Sequence, residues 1–311
     1  MQPLLSVWCS TYNHAPYIED ALRGFVSQKT DYPYKVYVHD DASTDGTADV
    51  VRRYASRYPD VIVPMCEGEN QYSKGVSAYK TTFLPNVGSK YIAFCEGDDY
   101  WTDDGKIQKQ IDYLEGHPDA SACVHRTEFV DSLAGRGTVI PPRFEGGTMP
   151  PPLLFAETSY HTSSLMTRAE YLKSMPKEFE PVRGVGDYPT RLYLCSLGEV
   201  FCLPDVMSVY RYRTPGSWSA RTSASPQEVV ETAEAISDML RRVDGATRGR
   251  FHAECEDALR AQEYKVLLQN RDFRAMAGKR YKDVRRGFPF RHRAMVAVGV
   301  VAPWALRLFG K

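Results

Sequence analysis

Three carboxylates lie close together directly after an apolar run. Residues 91–95 are apolar or β-favouring and lead into Glu96, Asp98 and Asp99, which predicts a buried strand that ends in an anionic cluster. Carboxylates packed this closely repel one another, so at neutral pH they need solvent, partial protonation or a bound cation. An oxygen-only ligand set favours Mg²⁺ or Mn²⁺ over Zn²⁺. The cluster is therefore a candidate metal site, with a solvated acidic turn as the alternative.

Two further polar clusters follow predicted strands in the first half of the chain. Residues 10–14 follow a strand expected at 4–9, and residues 40–45 follow a strand expected at 34–38. The other elements expected in this half are helices at 17–28 and 48–58 and strands at 61–65 and 91–95.

This alternation of strands and helices predicts an α/β fold, in which a mainly parallel sheet carries helices on both faces. Ligands of such sheets bind beyond the carboxyl ends of the strands, so the three polar clusters are expected to form one site. A carboxylate-rich site that can hold a cation suits a nucleoside diphosphate, whose phosphates the carboxylates alone would repel.

The composition is that of a globular protein with local rather than global charge. The chain has 311 residues, 43% of them hydrophobic, which is enough for a full core. Lys plus Arg equals Asp plus Glu at 39 each, so no net charge argues for a nucleic-acid partner. The seven cysteines are scattered and include no CxxC pair, which indicates buried hydrophobes rather than a disulfide or zinc framework.

The second half of the chain is less regular. A loop rich in Pro and Gly is expected at 141–152, and a helical pattern covers 191–197. Further strands are expected at 161–167, 200–203 and 206–212.

From residue 226 the sequence becomes charged and helical, and its end is basic and then apolar. The apolar part, 294–306, is too short to span a bilayer as a helix. With the basic residues of 279–293 it predicts an interfacial anchor, through 279–309, for an anionic membrane surface; a terminal helix packed on the main domain is the alternative. The N-terminus has no basic region and only a short apolar run, so we expect a cytoplasmic protein on the inner face of the membrane.

Three motifs, in this order, resemble those of the family 2 glycosyltransferases. They are Ser-Thr-Tyr-Asn at 10–13, Asp-Asp-Ala-Ser-Thr-Asp-Gly-Thr at 40–47 and Glu-Gly-Asp-Asp-Tyr-Trp at 96–101. The resemblance implies the GT-A (Rossmann-like) fold and a role in making bacterial polysaccharides or glycolipids. It implies a catalytic domain at 1–225, with a nucleotide-sugar half at about 1–115 and an acceptor half at about 116–225. A helical C-terminal extension at 226–311 would follow.

The resemblance also implies roles for the motif residues. Glu96 and Asp98 stand at the ends of what is usually an Asp-x-Asp motif, which binds the ribose and a divalent cation, Mn²⁺ or Mg²⁺. Asp98 is the stronger candidate for direct metal contact, because Glu96 is one methylene longer than the usual acid, and Asp99 is a further candidate ligand. The implied nucleotide-binding residues are Thr11, Tyr12, Asn13, Asp40, Asp41, Asp45 and Glu96, with Arg211 and Arg213 at the diphosphate.

Asp187 occupies the place of the family's catalytic base, before a helix late in the domain. It would take the proton of an acceptor hydroxyl as that oxygen attacks the anomeric carbon with inversion; a helix N-cap is the alternative role for this residue. His161 and Trp218 are candidates for the acceptor site, although a lone His or Trp is more often simply packed.

Other classes of enzyme fit the sequence less well. A phosphatase of the haloacid dehalogenase type would need a nucleophilic Asp where Ser43 stands, and residues 10–14 contain no glycine for a dinucleotide-binding turn. A nucleotidyltransferase would need a Gly-rich phosphate loop, which is missing near the N-terminus. The resemblance, together with the basic tail, thus implies an inverting, metal-dependent transferase that moves a sugar from a nucleotide-sugar to a lipid-linked or surface-polysaccharide precursor. The base is expected to be uracil, with guanine or thymine as open alternatives. A scaffold of the same fold without turnover is the alternative, because Glu96 and Gly186 depart from the family pattern.

Overall fold

The structure is a computed structural model that describes residues 2–132, 135, 137–140, 144–157, 159–182, 185–214 and 225–304. The chain forms two compact units. The first contains residues 1–154, 158–176 and 190–217, and the second contains residues 155–157, 177–189 and 218–311. The division after residue 225 that we expected from the sequence stays a prediction.

The first unit is built on one mixed sheet, whose strands are β1 Leu5–Thr11, β2 Tyr34–Asp40, β3 Ile62–Cys66, β4 Tyr91–Phe94, β5 Tyr100–Trp101, β6 Ala120–Asp131, β7 Gly137–Ile140, β8 Gly147–Thr148, β9 Met166–Arg168 and β10 Glu199–Tyr212. The helices of the chain are α1 Ile18–Val26, α2 Thr47–Arg57, α3 Leu84–Asn86, α4 Lys106–Gly116, α5 Pro151–Phe155, α6 Ala169–Lys173, α7 Asp187–Leu197, α8 Pro226–Ala246, α9 His252–Gln269, α10 Phe273–Met276, α11 Lys282–Arg286 and α12 Phe290–Val301.

The order of the strands in the sheet is β3-β2-β1-β4-β9-β6-β10-β5. The four strands on the β3 side run parallel to one another, as the alternation of strands and helices predicted. The other side is mixed, because β9 is antiparallel to both of its neighbours while β6 and β10 are parallel. The α/β fold with a doubly covered sheet is therefore confirmed, with an antiparallel strand at its centre.

The apolar spacing of α1 explains how this sheet is covered. Ile18, Ala21, Leu22 and Phe25 lie on one face of α1 and are fully buried. They pack in a single core with β1, whose residues are almost all buried because helices cover both faces of a parallel sheet.

Three details of the second half differ from the expected elements. The strand expected at 161–167 is a 3₁₀ turn, Thr162–Ser164, followed by the short strand β9. The strands expected at 200–203 and 206–212 are one strand, β10, with register irregularities near Leu203 and Val206. Strand β6, which we did not predict, pairs with both β9 and β10.

All seven cysteines are free, as expected, and six of them are buried. No helix within the described residues has both the length and the apolar character needed to cross a bilayer.

The second unit is mainly helical. Helices α8 and α9 pack against each other, and a smaller cluster joins α9 to the helices that follow it through Tyr264, Phe273, Met276 and Val296. The last described helix, α12, is basic in its first turn and apolar from residue 294 on, and it leaves Phe290 and Val301 exposed.

Candidate active site

The three polar clusters meet at the carboxyl edge of the parallel strands. Thr11 ends β1 beside Asp40, which ends β2. The backbone N–H of Asp41 donates to Thr11 O at 3.0 Å, and the N–H of Gly97 donates to Ser10 O at 2.8 Å. These bonds join the loops after β1, β2 and β4 into one surface, so the predicted convergence is confirmed.

The loops after β1 and β2 are also tied by side chains. The N–H of Asn13 donates to Ser43 Oγ at 2.8 Å, and Asn13 Oδ1 accepts from the N–H of Thr44 at 2.9 Å. Asp45 accepts from the N–H of Ala15 at 2.9 Å. Burial opposes ionisation of Asp45. The hydrogen bonds that its carboxylate accepts from Thr47 and from the N–H of Ala15 outweigh this effect and lower the pKa of the carboxyl group. Asp45 therefore shapes the loop as a carboxylate.

Asp40 and Asp41 hold different parts of the same edge. Asp40 accepts from the N–H and the hydroxyl of Ser43, at 3.2 and 2.5 Å, and so fixes its own loop. Asp41 accepts from the N–H of Gln71 at 2.7 Å and from that of Tyr72 at 3.1 Å. Each Asp41 oxygen keeps a second lone pair, so a base N–H can still bind there. Asp41 thus orders residues 71–72, and the predicted contacts of both acids with a nucleotide stay predictions.

Glu96, Asp98 and Asp99 form a cluster that could hold a metal ion. One carboxylate oxygen from each lies within 4.8 Å of the others, with Glu96 exposed and both aspartates buried. Burial and the charges of Asp98 and Glu96 raise the pKa of Asp99 well above its ordinary value. Asp98 Oδ1 and Asp99 Oδ2 are buried and have no hydrogen-bond partner among the residues that the structure describes. Because buried polar oxygens are normally satisfied, these two fit a hard divalent cation.

Two residues to which the sequence gave no role of their own lie at Asp98. The Thr214 hydroxyl donates to Asp98 Oδ2 at 2.8 Å, and His14 Nδ1 lies 3.9 Å from Asp98 Oδ1. His14 could have been found from its place in the polar loop after β1. Thr214 carries no such signal, because it is brought in by the end of the long strand β10.

Arg211 is bonded within the protein rather than extended toward solvent. Its guanidinium donates to Asp98 O at 2.8 Å and to Asp20 Oδ2 at 2.5 Å. It also lies over the ring of Tyr100, 4.4 Å from the centroid. Arg211 therefore fixes the backbone of the carboxylate cluster, and its predicted contact with a diphosphate would require it to exchange a partner. Arg213 is ion-paired with Asp131, and its phosphate contact stays a prediction.

The remaining predicted residues of the β1 loop differ in access. Thr11 is buried against Gly97, whereas the Tyr12 ring is 46% exposed at the edge of the site. Tyr12 is thus available to stack on a ligand ring, and Thr11 could contact one only through its backbone.

His161 lies beside the carboxylate cluster. Its Nε2 is 3.7 Å from Asp99 Oδ2, and its ring stacks on Tyr210 with centroids 3.9 Å apart. Burial lowers the pKa of His161 to about 3, so the imidazole is neutral at physiological pH. Its predicted contact with an acceptor stays a prediction.

Asp187 belongs to the second unit and is the exposed first residue of α7. Asp187 is thus the first helical residue rather than the residue before the helix, where an N-cap lies, and a carboxylate in the first turn is electrostatically favourable. Its role as the base stays a prediction. Trp218, the other predicted acceptor residue, lies outside the described residues.

Parallel strands with a polar site beyond their carboxyl ends define the class of nucleotide-binding α/β folds. Residues 6–174, more than half of the chain, match Glycosyl transferase family 2. The chain belongs to this family.

Similar proteins include one without an assigned activity and one named as a glycosyltransferase. An uncharacterized protein of Mycobacterium tuberculosis is 33% identical over 215 residues, which cover 69% of this chain and 60% of that protein. The Escherichia coli UDP-Glc:alpha-D-GlcNAc-diphosphoundecaprenol beta-1,3-glucosyltransferase WfaP is 30% identical over 115 residues, 36% of this chain and 41% of that protein.

A likeness in three dimensions covers more of the chain. The structure of S. aureus TarS 1–349 with UDP-GlcNAc superposes with a TM-score of 0.63 at 17% identity, over 91% of this chain and 78% of TarS 1–349. At this identity the likeness shows the fold. The chain spans about 60% of the length of its mycobacterial relative.

Proposed function

We propose that this protein is an inverting, metal-dependent glycosyltransferase. It would move a sugar from a UDP-sugar to a hydroxyl group of a lipid-linked or surface-polysaccharide precursor. The observation that carries the proposal is the cluster of Glu96, Asp98 and Asp99 at the carboxyl edge of the parallel strands, with two buried oxygens that lack partners. Family membership supports sugar transfer, and the name of WfaP supports a UDP donor and a lipid-linked acceptor.

The carboxylate cluster would hold Mn²⁺ or Mg²⁺. When bound, such an ion supplies the positive charge that lets a diphosphate approach carboxylates and leave as a stable anion. Asp98 and Asp99 would contribute their unpartnered oxygens, and the exposed Glu96 would approach from the solvent side.

The chain's own residues would bind the donor and prepare the acceptor. The Tyr12 ring would cover the base, and Asp41 would accept a hydrogen bond from it. Arg211 or Arg213 would exchange a protein partner for a phosphate oxygen. Asp187 would accept the proton of the acceptor hydroxyl as its oxygen bonds to the anomeric carbon. This bond would form on the face opposite the leaving diphosphate, which gives inversion.

Ligand binding tests this proposal. Thermal unfolding would be followed with UDP, GDP, TDP and ADP, each with and without Mn²⁺, on the wild type, on Asp98→Ala and on the matched control Asp60→Ala. Asp60 is an exposed acid beside the start of β3. We expect UDP with Mn²⁺ to raise the melting temperature of the wild type and of Asp60→Ala, with no shift in Asp98→Ala. A folded wild type that no nucleotide stabilises would contradict the proposal.

Turnover separates the transferase from a scaffold without activity. A wild type that binds UDP with Mn²⁺ and also releases UDP from a UDP-sugar in the presence of a bacterial lipid extract is a transferase. A wild type that binds but releases none, across a panel of UDP-sugars, would favour the scaffold.

We also propose that the second unit rests on an anionic membrane surface. Phe290, Val301 and Trp304 are large apolar side chains that are 76, 84 and 81% exposed. Such exposure of several apolar side chains in one segment is typical of an interaction surface. Residues 272–304 carry two acids, Asp272 and Asp283, against eight basic residues: Arg274, Lys279, Arg280, Lys282, Arg285, Arg286, Arg291 and Arg293. Of these, Arg280 is ion-paired with Glu263 and Arg286 with Asp283, so the segment keeps a basic excess. Exposed apolar residues flanked by Lys and Arg side chains are typical of helices that lie at a membrane interface.

Flotation with vesicles tests this surface. We expect the wild type to bind vesicles that contain phosphatidylglycerol and to leave them when salt is raised to about 1 M, because surface charges are then screened. Phe290→Ser/Trp304→Ser should weaken binding, whereas Tyr72→Ser, a change of an exposed aromatic in the first unit, should not. Equal binding to neutral vesicles, or no binding, would contradict the proposal.

A further inference from the structure

We propose that His161 is a positioning residue for Asp99, held by a buried chain of hydroxyl groups in the tautomer that carries its hydrogen on Nε2. The inference deepens the proposed function, since Asp99 belongs to the carboxylate cluster. It concerns how the protein orients that carboxylate before any ligand arrives.

The tautomer follows from a backbone amide. The N–H of Ser163 can only donate, and it lies 3.2 Å from His161 Nδ1. Nδ1 must therefore be the acceptor nitrogen, and a neutral imidazole then carries its hydrogen on Nε2. The opposite tautomer would set two N–H groups against each other in a buried place.

A row of hydroxyl groups agrees with this direction. Ser163 Oγ is 2.9 Å from His161 Nδ1, Ser208 Oγ is 3.0 Å from Ser163 Oγ, and Thr127 Oγ1 is 3.0 Å from Ser208 Oγ. All three hydroxyl residues are fully buried. If each hydroxyl donates to the next, from Thr127 toward the ring, the row ends at Nδ1, whose single lone pair is then shared between the Ser163 hydroxyl and the Ser163 N–H.

The other side of the ring faces Asp99. Asp99 is fully buried and its Oδ1 accepts from the N–H of Arg211 at 2.9 Å. Its Oδ2 has no hydrogen-bond partner within the described part of the chain. The His161 Nε2 lies 3.7 Å from that Oδ2, which is about 0.8 Å beyond an ordinary hydrogen bond. Stacking on Tyr210 keeps the ring in this plane. Closing that gap would give each Asp99 oxygen one donor, and each oxygen would keep a second lone pair for a cation.

Two variants separate hydrogen bonding from packing. His161→Phe keeps a ring of similar size over Tyr210 but removes both nitrogens, whereas His161→Gln keeps an N–H donor near the position of Nε2. We expect the Mn²⁺ dissociation constant, measured by electron paramagnetic resonance with Mn²⁺ alone, to rise about 10-fold in His161→Phe, the low end of the effect of residues that orient metal ligands. His161→Gln should recover most of that loss. Wild-type affinity in a folded His161→Phe would overturn the positioning role.

Nitrogen NMR tests the tautomer without a metal or a nucleotide. In protein labelled with ¹⁵N-histidine at neutral pH, the His161 signals, assigned by their loss in His161→Gln, should show Nε2 protonated and Nδ1 unprotonated. The reverse tautomer or an imidazolium would overturn the inference even if Mn²⁺ binds. If the wild type binds no Mn²⁺, the proposed metal-dependent function fails, and the NMR result alone then decides whether His161 is held as stated.

Discussion

Gly97 lies so close to Thr11 that a Cβ atom at position 97 would stand 2.7 Å from the Cβ of Thr11. The same atom would stand 2.9 Å from Ile18 Cδ1. This approach presses the loop of the carboxylate cluster onto the loop after β1. The absent side chain at position 97 is therefore part of how the two loops form one site.

Gly97→Ala should destabilise the protein because neither neighbour can move freely. We expect the free energy of unfolding to fall by about 1–3 kcal/mol, the usual cost of overpacking, as measured by urea denaturation. Gly68→Ala is the matched control, since a Cβ there meets nothing within 4 Å. Equal stability of the two variants would mean that the loops are not pressed together.

Asp41→Asn should make residues 71–72 more mobile, because it removes one of the two oxygens that hold their backbone. The Asp41 carboxylate accepts two backbone N–H groups, and an amide can offer an oxygen to only one of them. We expect a loss of about 1–3 kcal/mol in the free energy of unfolding and faster hydrogen exchange at the N–H of Gln71 or Tyr72. Asp31→Asn, at an exposed acid near the opposite edge of the sheet, should leave that exchange unchanged.

Lys106 gives a pH dependence of stability with a definite sign. Its side chain is fully buried, donates to Gln110 Oε1 at 2.6 Å and lies 3.9 Å from the centre of the Trp101 ring. Burial lowers the pKa of Lys106 to about 7, against 10.5 for an ordinary lysine. Between these values the unfolded chain binds a proton that the folded chain does not, so this group makes stability rise with pH.

The difference between wild type and Lys106→Met isolates that effect. From pH 7 to 8.5 the free energy of unfolding of the wild type should gain up to about 1.4 kcal/mol per pH unit relative to the variant. The range ends at pH 8.5 because burial raises the pKa of the Cys123 and Cys202 thiols. At higher pH these thiols make the free energy of unfolding fall, which opposes the effect of Lys106. Parallel curves for the two proteins in urea titrations would show that Lys106 stays charged in the fold.

The part of the site that the sequence predicted is the part formed by contiguous motifs. The clusters at 10–14, 40–45 and 96–99 follow strands of the parallel half, where strand order alone brings the carboxyl ends together. Strand β6 was missed because its alternation is broken by polar residues, His125 and Thr127, which are buried and hydrogen-bonded in the fold. Local patterns treat such residues as exposed.

The contacts that position the carboxylates could not be read from spacing. Thr214, Arg211 and His161 reach the cluster from β10 and from the turn before β9, more than sixty residues away in the chain. Their side chains meet the aspartates only because β10 and β9 join the same sheet, which is a long-range property. The sequence could offer Arg211 and His161 as candidates for ligand binding, which stay predictions, but it could not predict their contacts with protein groups.

Asp187→Asn tests the predicted base separately from the binding of the donor. Replacing the carboxylate by an amide keeps the size and the place at the start of α7 but removes the proton acceptor. We expect kcat for sugar transfer to fall about 10²–10⁴-fold, as is usual when a general base is lost, while the Mn²⁺-dependent binding of UDP stays unchanged. Glu180→Gln, at a nearby exposed acid, should keep full activity. If Asp187→Asn retains wild-type kcat, Asp187 only starts the helix, and another acceptor group must remove the proton.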